Sequence, residues 1–319
     1  MKRYKSEALL LLTACIWGFA FVAQRKGMDH IGPYTYNGIR FAIGSLSLIP
    51  LILHLDKVNN RKKLEGNYLQ TIIFSCIAGV ILFLGASFQQ VGLLYTEAGK
   101  AGFITGLYVV IVPFIALIFG RRIDSKVLTG AVIAVFGLYF LSITGESNIA
   151  GDEIFKLIRS GNINSENIKK FVNYGDLLVL ICAFFFALHV VLIGWLSNKA
   201  DPLKISALQF AICSFLSMGY ALHTETIEMA GIINAAVPIL YGGLFSVGVA
   251  YTLQVVAQKG ADPSRAAIIL SLESVFAVIG GIIFLGEYIG GRGFFGCGLM
   301  LLGILLAQKK NNNGSQKEL

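Results

Sequence analysis

Two ionisable side chains lie inside long apolar runs of the sequence. Glu273 falls near the middle of its run, and Arg40 falls nearer the end of another. A charge in apolar surroundings is costly unless a partner or a bound ligand compensates it. A buried carboxylate could bind an amine or exchange a proton, and a guanidinium could bind a carboxylate through paired hydrogen bonds. Both are therefore candidate binding residues; the alternative is an internal ion pair or polar pair that only joins helices.

A second group of polar and aromatic side chains is expected near the same site. His189 is the only histidine well inside an apolar run, and an imidazole can relay a proton near neutral pH. A lone histidine, like a buried amide, can equally serve as a hydrogen-bonding partner between helices. Glu97 and Lys100 could pair on one helix face, or they could lie in a solvated vestibule. The further candidate binding residues are Trp17, Tyr36, Asn37, Gln89, Gln90, Tyr108, Gln209, Tyr251 and Gln254.

The elements that must position these residues are apolar helices. Of the 319 residues, 55% are hydrophobic and only 14% are charged, and the mean hydropathy is +0.72. Runs of about twenty apolar residues are long enough to cross a bilayer as helices. The sequence therefore predicts an all-α integral membrane protein with ten transmembrane helices, at roughly 6–24, 34–55, 68–93, 97–119, 126–144, 175–197, 203–222, 232–257, 263–285 and 289–308.

The basic residues indicate how the chain is oriented in the bilayer. The net charge is +8, but Lys and Arg sit in short clusters between the apolar runs, which argues against nucleic-acid binding. Most of the 26 Lys and Arg residues lie in the two terminal segments and in alternate connections, on one side of the bilayer. The positive-inside rule then places both termini in the cytoplasm and the protein in the cell membrane.

The two halves of the chain resemble each other. Pro33 and the segment 40–43 (Arg-Phe-Ala-Ile) recur at the same spacing as Pro202 and the segment 209–212 (Gln-Phe-Ala-Ile). Five spans per half is an odd number, so the two repeats must have inverted topology, with a site expected between them near the middle of the bilayer. The predicted organisation is a first five-helix repeat at 1–144, an extracytoplasmic connection at 145–173, a second five-helix repeat at 174–310 and a polar tail at 311–319.

The sequence offers little support for an enzyme. It contains no HExxH, GxSxG or glycine-rich phosphate loop. Its aspartates lie in or beside connections, and its five cysteines form no CxxC pair, so neither a metal nor another cofactor is predicted. The competing interpretation is a membrane protein that transports nothing, such as an intramembrane enzyme or a scaffold.

Several short motifs, in this order along nearly the whole chain, resemble one known family. They are Trp17-Gly18 with Phe21-Val22, Pro33 with Arg40-Phe41, Leu285-Gly286-Glu287, and Gly296-Cys297-Gly298-Leu299 with Leu302-Gly303. The chain resembles the EamA-like ten-helix permeases of the drug/metabolite transporter superfamily. It departs from them at Gly120-Arg121-Arg122, where the first repeat of that family often carries Gly-Glu.

This resemblance implies a transporter, often an exporter of amino acids or related metabolites. We therefore expect a secondary transporter that moves small organic solutes by alternating access around a central cavity, with the lipid bilayer as its surroundings. Pro113 is expected to kink the fourth helix beside that cavity. The sequence leaves open the substrate, the direction of transport, coupling to protons and the choice between monomer and dimer.

Overall fold

The computed structural model describes residues 2–58, 68–118, 125–142, 174–197, 199, 201–259 and 263–308, which contain helices and no strand. The predicted connection at 145–173 and the tail at 311–319 lie outside these residues. In the first predicted half the helices are α1 (Lys2–Gly27), α2 (Pro33–Val58), α3 (Tyr68–Gly92), α4 (Ala98–Gly106), α5 (Tyr108–Ile118) and α6 (Ser125–Ser142).

The second predicted half repeats this order with more interruptions. It contains α7 (Tyr174–Leu196), α8 (Pro202–Thr224), α9 (Met229–Asn234), α10 (Ala236–Leu240), a π-wound segment π1 (Tyr241–Tyr251), α11 (Thr252–Gln258), α12 (Pro263–Leu270), α13 (Glu273–Gly280), π2 (Gly281–Leu285) and α14 (Gly291–Gln308).

The described helices are those of an integral membrane protein. Seven of them, counting continuous segments of the described residues, are long and apolar enough to cross a bilayer. The fifth, ninth and tenth predicted spans correspond to the shorter α6, the α12–α13–π2 segment and α14. The all-α membrane class is confirmed, whereas the count of ten crossings stays a prediction.

Helices of the two predicted halves pack directly against each other. α2 lies along α8, α3 lies along α7 and α8, and α6 lies along α14. α1 contacts α13, π1 and α11, so it runs through the middle of the second half. Gly18 allows this close approach, because a Cβ atom there would lie only 2.2 Å from Phe276 Cβ and 2.7 Å from the Glu273 carbonyl oxygen.

The fourth and ninth predicted spans are each interrupted within the bundle. At Leu107 the backbone tightens, with Val110 N donating to Leu107 O at 2.9 Å. At Ser271–Leu272 it tightens in the same way: Ser274 N donates to Ser271 O at 3.1 Å, and Val275 N donates to Leu272 O at 3.0 Å. Such i to i+3 bonds mark a short 3₁₀ turn within a helix.

The interruption of the fourth span corrects the expectation for Pro113. The helix α5 continues through Pro113, and the break lies before it, at Leu107. Pro113 has no N–H, so one backbone hydrogen bond is missing, but the helix remains continuous at this position. As a result Tyr108 and Glu273 each begin the second piece of an interrupted span.

Candidate functional site

A cavity of about 450 Å³ lies among α1, α2, α3, α5, α7, π1, α11 and α13. Eight of the twelve predicted binding residues line it: Trp17, Arg40, Gln89, Tyr108, His189, Tyr251, Gln254 and Glu273.

Glu273 enters the cavity from the first turn of α13. Its side chain is 4% exposed, and the hydroxyl of Tyr108, from the other interrupted span, lies beside its carboxyl group. Neither Glu273 Oε1 nor Tyr108 Oη has a well-formed hydrogen bond with a described residue. The two interruptions thus bring an acid and a phenol together with hydrogen-bonding capacity to spare.

Arg40 enters the same cavity from α2. It is 2% exposed, and its Nε donates to Asn37 Oδ1 at 2.9 Å. Its guanidinium carbon lies 5.5 Å from the centre of the Tyr36 ring and 4.9 Å from that of Phe41. Among the described residues no salt bridge joins Arg40 to Glu273 or to another acid. The choice between a binding role and a structural polar pair stays a prediction.

His189 joins α7 to α8. Its Nε2 lies 2.9 Å from Gln209 Oε1, and its ring meets that of Tyr251 edge-on with centres 6.1 Å apart. Gln209 Nε2 has no partner among the described residues. The contact fits the interpretation of His189 as a partner between helices, and its ring still faces the cavity.

Aromatic rings form one wall of the cavity. The rings of Trp17 and Tyr251 lie with centres 4.5 Å apart, and Trp17 Nε1 donates to Ser246 O at 3.1 Å. That bond ties α1 to the π-wound segment, because Ser246 lies in π1. π-type winding is rare and often occurs at functional sites.

Four predicted binding residues lie behind the cavity and support the residues that line it. Tyr36 Oη donates to Pro238 O at 2.9 Å, and Asn37 Nδ2 donates to Ala86 O at 3.1 Å. Gln90 Nε2 donates to Gln24 O at 3.4 Å. The fourth is Gln209, held by His189. These residues hold helices together or orient their neighbours.

Sequence reasoning missed six lining residues: Ala20, Phe21, Gln24, Phe186, Val190 and Ser246. Gln24 carried a signal, since it is a polar residue at the end of the first apolar run, but the adjacent Arg25 and Lys26 suggested a connection. The apolar ones carry no signal that separates a cavity wall from ordinary packing. Among the described residues no cluster of three or more His, Cys, Asp or Glu could hold a metal ion.

Three carboxylate groups link the predicted halves at the end of the bundle opposite the N-terminus, which we call the outer end. Glu287 accepts hydrogen bonds from the N-terminus of α4, from Ala98 N at 2.7 Å and Gly99 N at 2.9 Å. Glu225 accepts two more from the N-terminus of α2, from Tyr34 N and Thr35 N, each at 2.8 Å. Backbone N–H groups at a helix N-terminus favour a carboxylate.

A third link at the outer end joins Lys100 to Asp176. Lys100 Nζ pairs with Asp176 Oδ2 at 2.6 Å rather than with Glu97, and Thr96 Oγ1 donates to Asp176 Oδ1 at 2.7 Å. Partial burial, and then the nearby carboxylate of Glu287, raise the pKa of Glu97, while Lys100 acts in the opposite direction.

Comparison with known proteins agrees with this architecture. Residues 5–143 and 173–308 match the EamA-like transporter family. An "Uncharacterized transporter" of Archaeoglobus fulgidus is 32% identical over 96% of this chain and 86% of its own length. A "Probable amino-acid metabolite efflux pump" of Escherichia coli is 24% identical over 95% of this chain and 94% of its own length.

A solved structure shares the fold. It covers 96% of this chain and 97% of its own, with a TM-score of 0.70 and 15% sequence identity. The family match spans nearly the whole chain, and the described helices are long and apolar. The chain therefore belongs to the EamA-like transporter family and is a multi-pass membrane transporter.

Proposed function

We propose that this transporter exports small organic solutes that carry both a carboxylate and an amine, such as amino acids or related metabolites. The observation that carries the proposal is the pair of buried ionisable side chains, Arg40 and Glu273, which line one cavity without pairing with each other. Uncompensated charges within a membrane bundle are costly, and a zwitterionic solute would compensate both.

The remaining lining groups suit the same kind of solute. Buried polar atoms normally have hydrogen-bond partners, and each one that lacks a partner calls for an explanation. Of the several buried side-chain atoms without a well-formed hydrogen bond among the described residues, four belong to side chains that line the cavity: Gln24 Oε1, Tyr108 Oη, Gln254 Oε1 and Glu273 Oε1. Three of these oxygens can accept bonds from an ammonium group, and the phenol can donate or accept.

The proposed mechanism is alternating access, with the two predicted halves rocking about the cavity. The three links at the outer end, through Glu225, Glu287 and Asp176, each join one predicted half to the other. At the other end the described residues show one such salt bridge, Lys204 to Asp56, and its side chains are 48% and 36% exposed. The three links at the outer end support a state in which that end is closed.

The orientation and direction of transport are also part of the proposal. The Lys and Arg bias supports a location in the cell membrane with both termini in the cytoplasm. Export is supported by the name of the Escherichia coli relative. The five-plus-five repeat supports a rocking movement that would carry the solute from one side to the other.

The test is flux in proteoliposomes that contain the purified protein. Each common amino acid is loaded inside, and saturable release is measured against empty liposomes. We expect saturable flux of at least one of them, with Arg40→Gln and Glu273→Gln each lowering flux at least tenfold, since each removes one of the two compensating charges. The matched controls are Arg292→Gln and Glu228→Gln, which remove the same charges at exposed positions.

Two outcomes would count against the proposal. If the protein shows a normal thermal unfolding transition but no saturable flux of any amino acid, amino acids are not its substrates. Normal flux in both Arg40→Gln and Glu273→Gln would show that these charges have another role, even if the solutes are right.

A further inference from the structure

We infer that Asn37 is a positioning residue for transport: it stays out of contact with the solute and fixes the guanidinium plane of Arg40, so that the terminal nitrogens of Arg40 face the cavity. This inference rests on the proposed function of Arg40 in binding a carboxylate. It also changes the role of Asn37, which the sequence had suggested as a direct binding residue.

Asn37 is buried on all sides and does not line the cavity. It is 0% exposed and lies one helical turn before Arg40 on α2. Its Nδ2 donates to Ala86 O on α3 at 3.1 Å, and its Oδ1 accepts from Arg40 Nε at 2.9 Å. A flipped amide would set donor against donor and acceptor against acceptor, so these two contacts leave the amide one orientation.

Holding Nε orients the whole head group of Arg40. The guanidinium is planar, so the direction of the Nε–H bond sets the plane in which the two terminal nitrogens lie. These nitrogens form the fork that matches a carboxylate, and no described acid occupies them. The rings of Tyr36 and Phe41 flank the guanidinium and limit its movement further.

The path of the Arg40 side chain also depends on the π-wound segment. A Cβ atom at Gly242 would lie 2.7 Å from Tyr36 Oη and 3.3 Å from Arg40 Cδ. Any larger residue there would therefore press on both the side chain and one of the rings beside it. Asn37 and Gly242 therefore confine the Arg40 side chain from two sides where it extends toward the cavity.

A long side chain that is held in its binding geometry loses less conformational freedom when a ligand arrives. Asn37→Ala removes the acceptor for Nε and the bond to Ala86. We expect a rise in KM of about tenfold for a solute that carries a carboxylate, because the cost of ordering one long side chain then falls on the binding step. The maximal rate should change little, because the helices that move are unaltered.

The experiment compares two probes in proteoliposomes: the common amino acid that the wild-type protein transports fastest, and the carboxamide of that amino acid. The carboxamide lacks the charge that Arg40 would bind. Asn37→Ala should raise the KM of the amino acid about tenfold and leave the KM of the carboxamide nearly unchanged. In an Arg40→Gln background the same substitution should have no further effect on either probe.

A second measurement does not depend on transport. The side-chain Nε–H of Arg40, assigned by NMR through its loss in Arg40→Lys, should exchange slowly with water in the wild-type protein and at least tenfold faster in Asn37→Ala. Asn234→Ala, at an exposed position, is the control. If Asn37→Ala does not fold, Asn37→Ser keeps a small polar side chain that is too short to reach Nε, and the same results are expected.

The outcomes separate the two proposals. If the wild-type protein transports no amino acid, the proposed function fails, and the exchange rate of Arg40 still tests the positioning role. If wild-type transport is normal but the variant raises the KM of both probes equally, or leaves Arg40 Nε–H exchange unchanged, Asn37 only packs α2 against α3 and the inference is overturned.

Discussion

The link between Glu287 and α4 allows a quantitative test of how the outer end opens. A Glu287→Gln substitution keeps the shape of the side chain and one carbonyl oxygen, so one of the two hydrogen bonds from Ala98 N and Gly99 N is lost. A buried hydrogen bond to a charged group contributes about 1.5–3 kcal/mol. Attraction of the carboxylate to the helix N-terminus adds about 0.3–1 kcal/mol.

Solvent screening reduces this sum, because Glu287 is only half-buried. We therefore expect the link to weaken by about 1–3 kcal/mol. If the link exists only while the outer end is closed, the ratio of open to closed molecules should rise by about 5- to 150-fold. The other two links at this end should keep part of the population closed.

The assay is cysteine labelling from the predicted outer side. Ala20 lines the cavity and is 1% exposed, so a cysteine placed there, after the five native cysteines are replaced, reports access to the cavity. A membrane-impermeant maleimide should label this cysteine 5- to 150-fold faster in the Glu287→Gln variant than in its parent. Glu228→Gln, at an exposed position of the same end, should leave the rate unchanged.

An unchanged labelling rate in a folded Glu287→Gln protein would refute the reasoning. It would mean that Glu287 caps α4 in every conformation and has no part in opening. Faster labelling from the side of the N-terminus instead would show that the link lies at a different end of the pathway than proposed.

Two further predictions concern packing and topology. Gly18→Ala should destabilise the protein by about 1–3 kcal/mol, because its Cβ would overlap Phe276 Cβ at 2.2 Å. Thermal unfolding measures this loss of stability. The control is Gly298→Ala, whose Cβ would meet nothing within 4 Å. An equal Tm for both variants would contradict the packing. A cysteine introduced within 147–165, in a background free of other cysteines, should react with an impermeant reagent added outside the cell, and reaction only from the cytoplasmic side would reverse the predicted orientation.

Part of the site could be predicted from the sequence because a bilayer penalises charge wherever it falls in a span. Arg40 and Glu273 stand out against apolar neighbours without any knowledge of the fold. The structure places both at one cavity, together with six other predicted residues. Their role in binding a solute stays a prediction, but their location follows from a local property of the sequence.

The support behind the cavity could not be predicted, because it depends on contacts between residues far apart in the chain. Asn37 and Gln209 have the same polar character as lining residues. Only the bond from Asn37 to α3 and the contact of Gln209 with His189 on α7 show that they lie behind the cavity. Glu225 and Glu287 lie in connections and would pass for solvated charges. The capping of α2 and α4 becomes visible only when the helices are assembled.

The helices themselves were determined by hydrophobicity along the chain, since a lipid-facing backbone must satisfy its hydrogen bonds within a helix. The interruption at Ser271–Leu272 was not, because that position carries neither proline nor glycine. The interruption at Leu107 follows Gly106, but glycine recurs throughout these helices and does not single out this position. Pro113 gave the expected signal for a break and yet lies in continuous helix. Neighbouring helices decide where a helix breaks inside a bundle, because they supply new hydrogen-bond partners for the freed backbone groups. Those neighbours are known only from the tertiary structure.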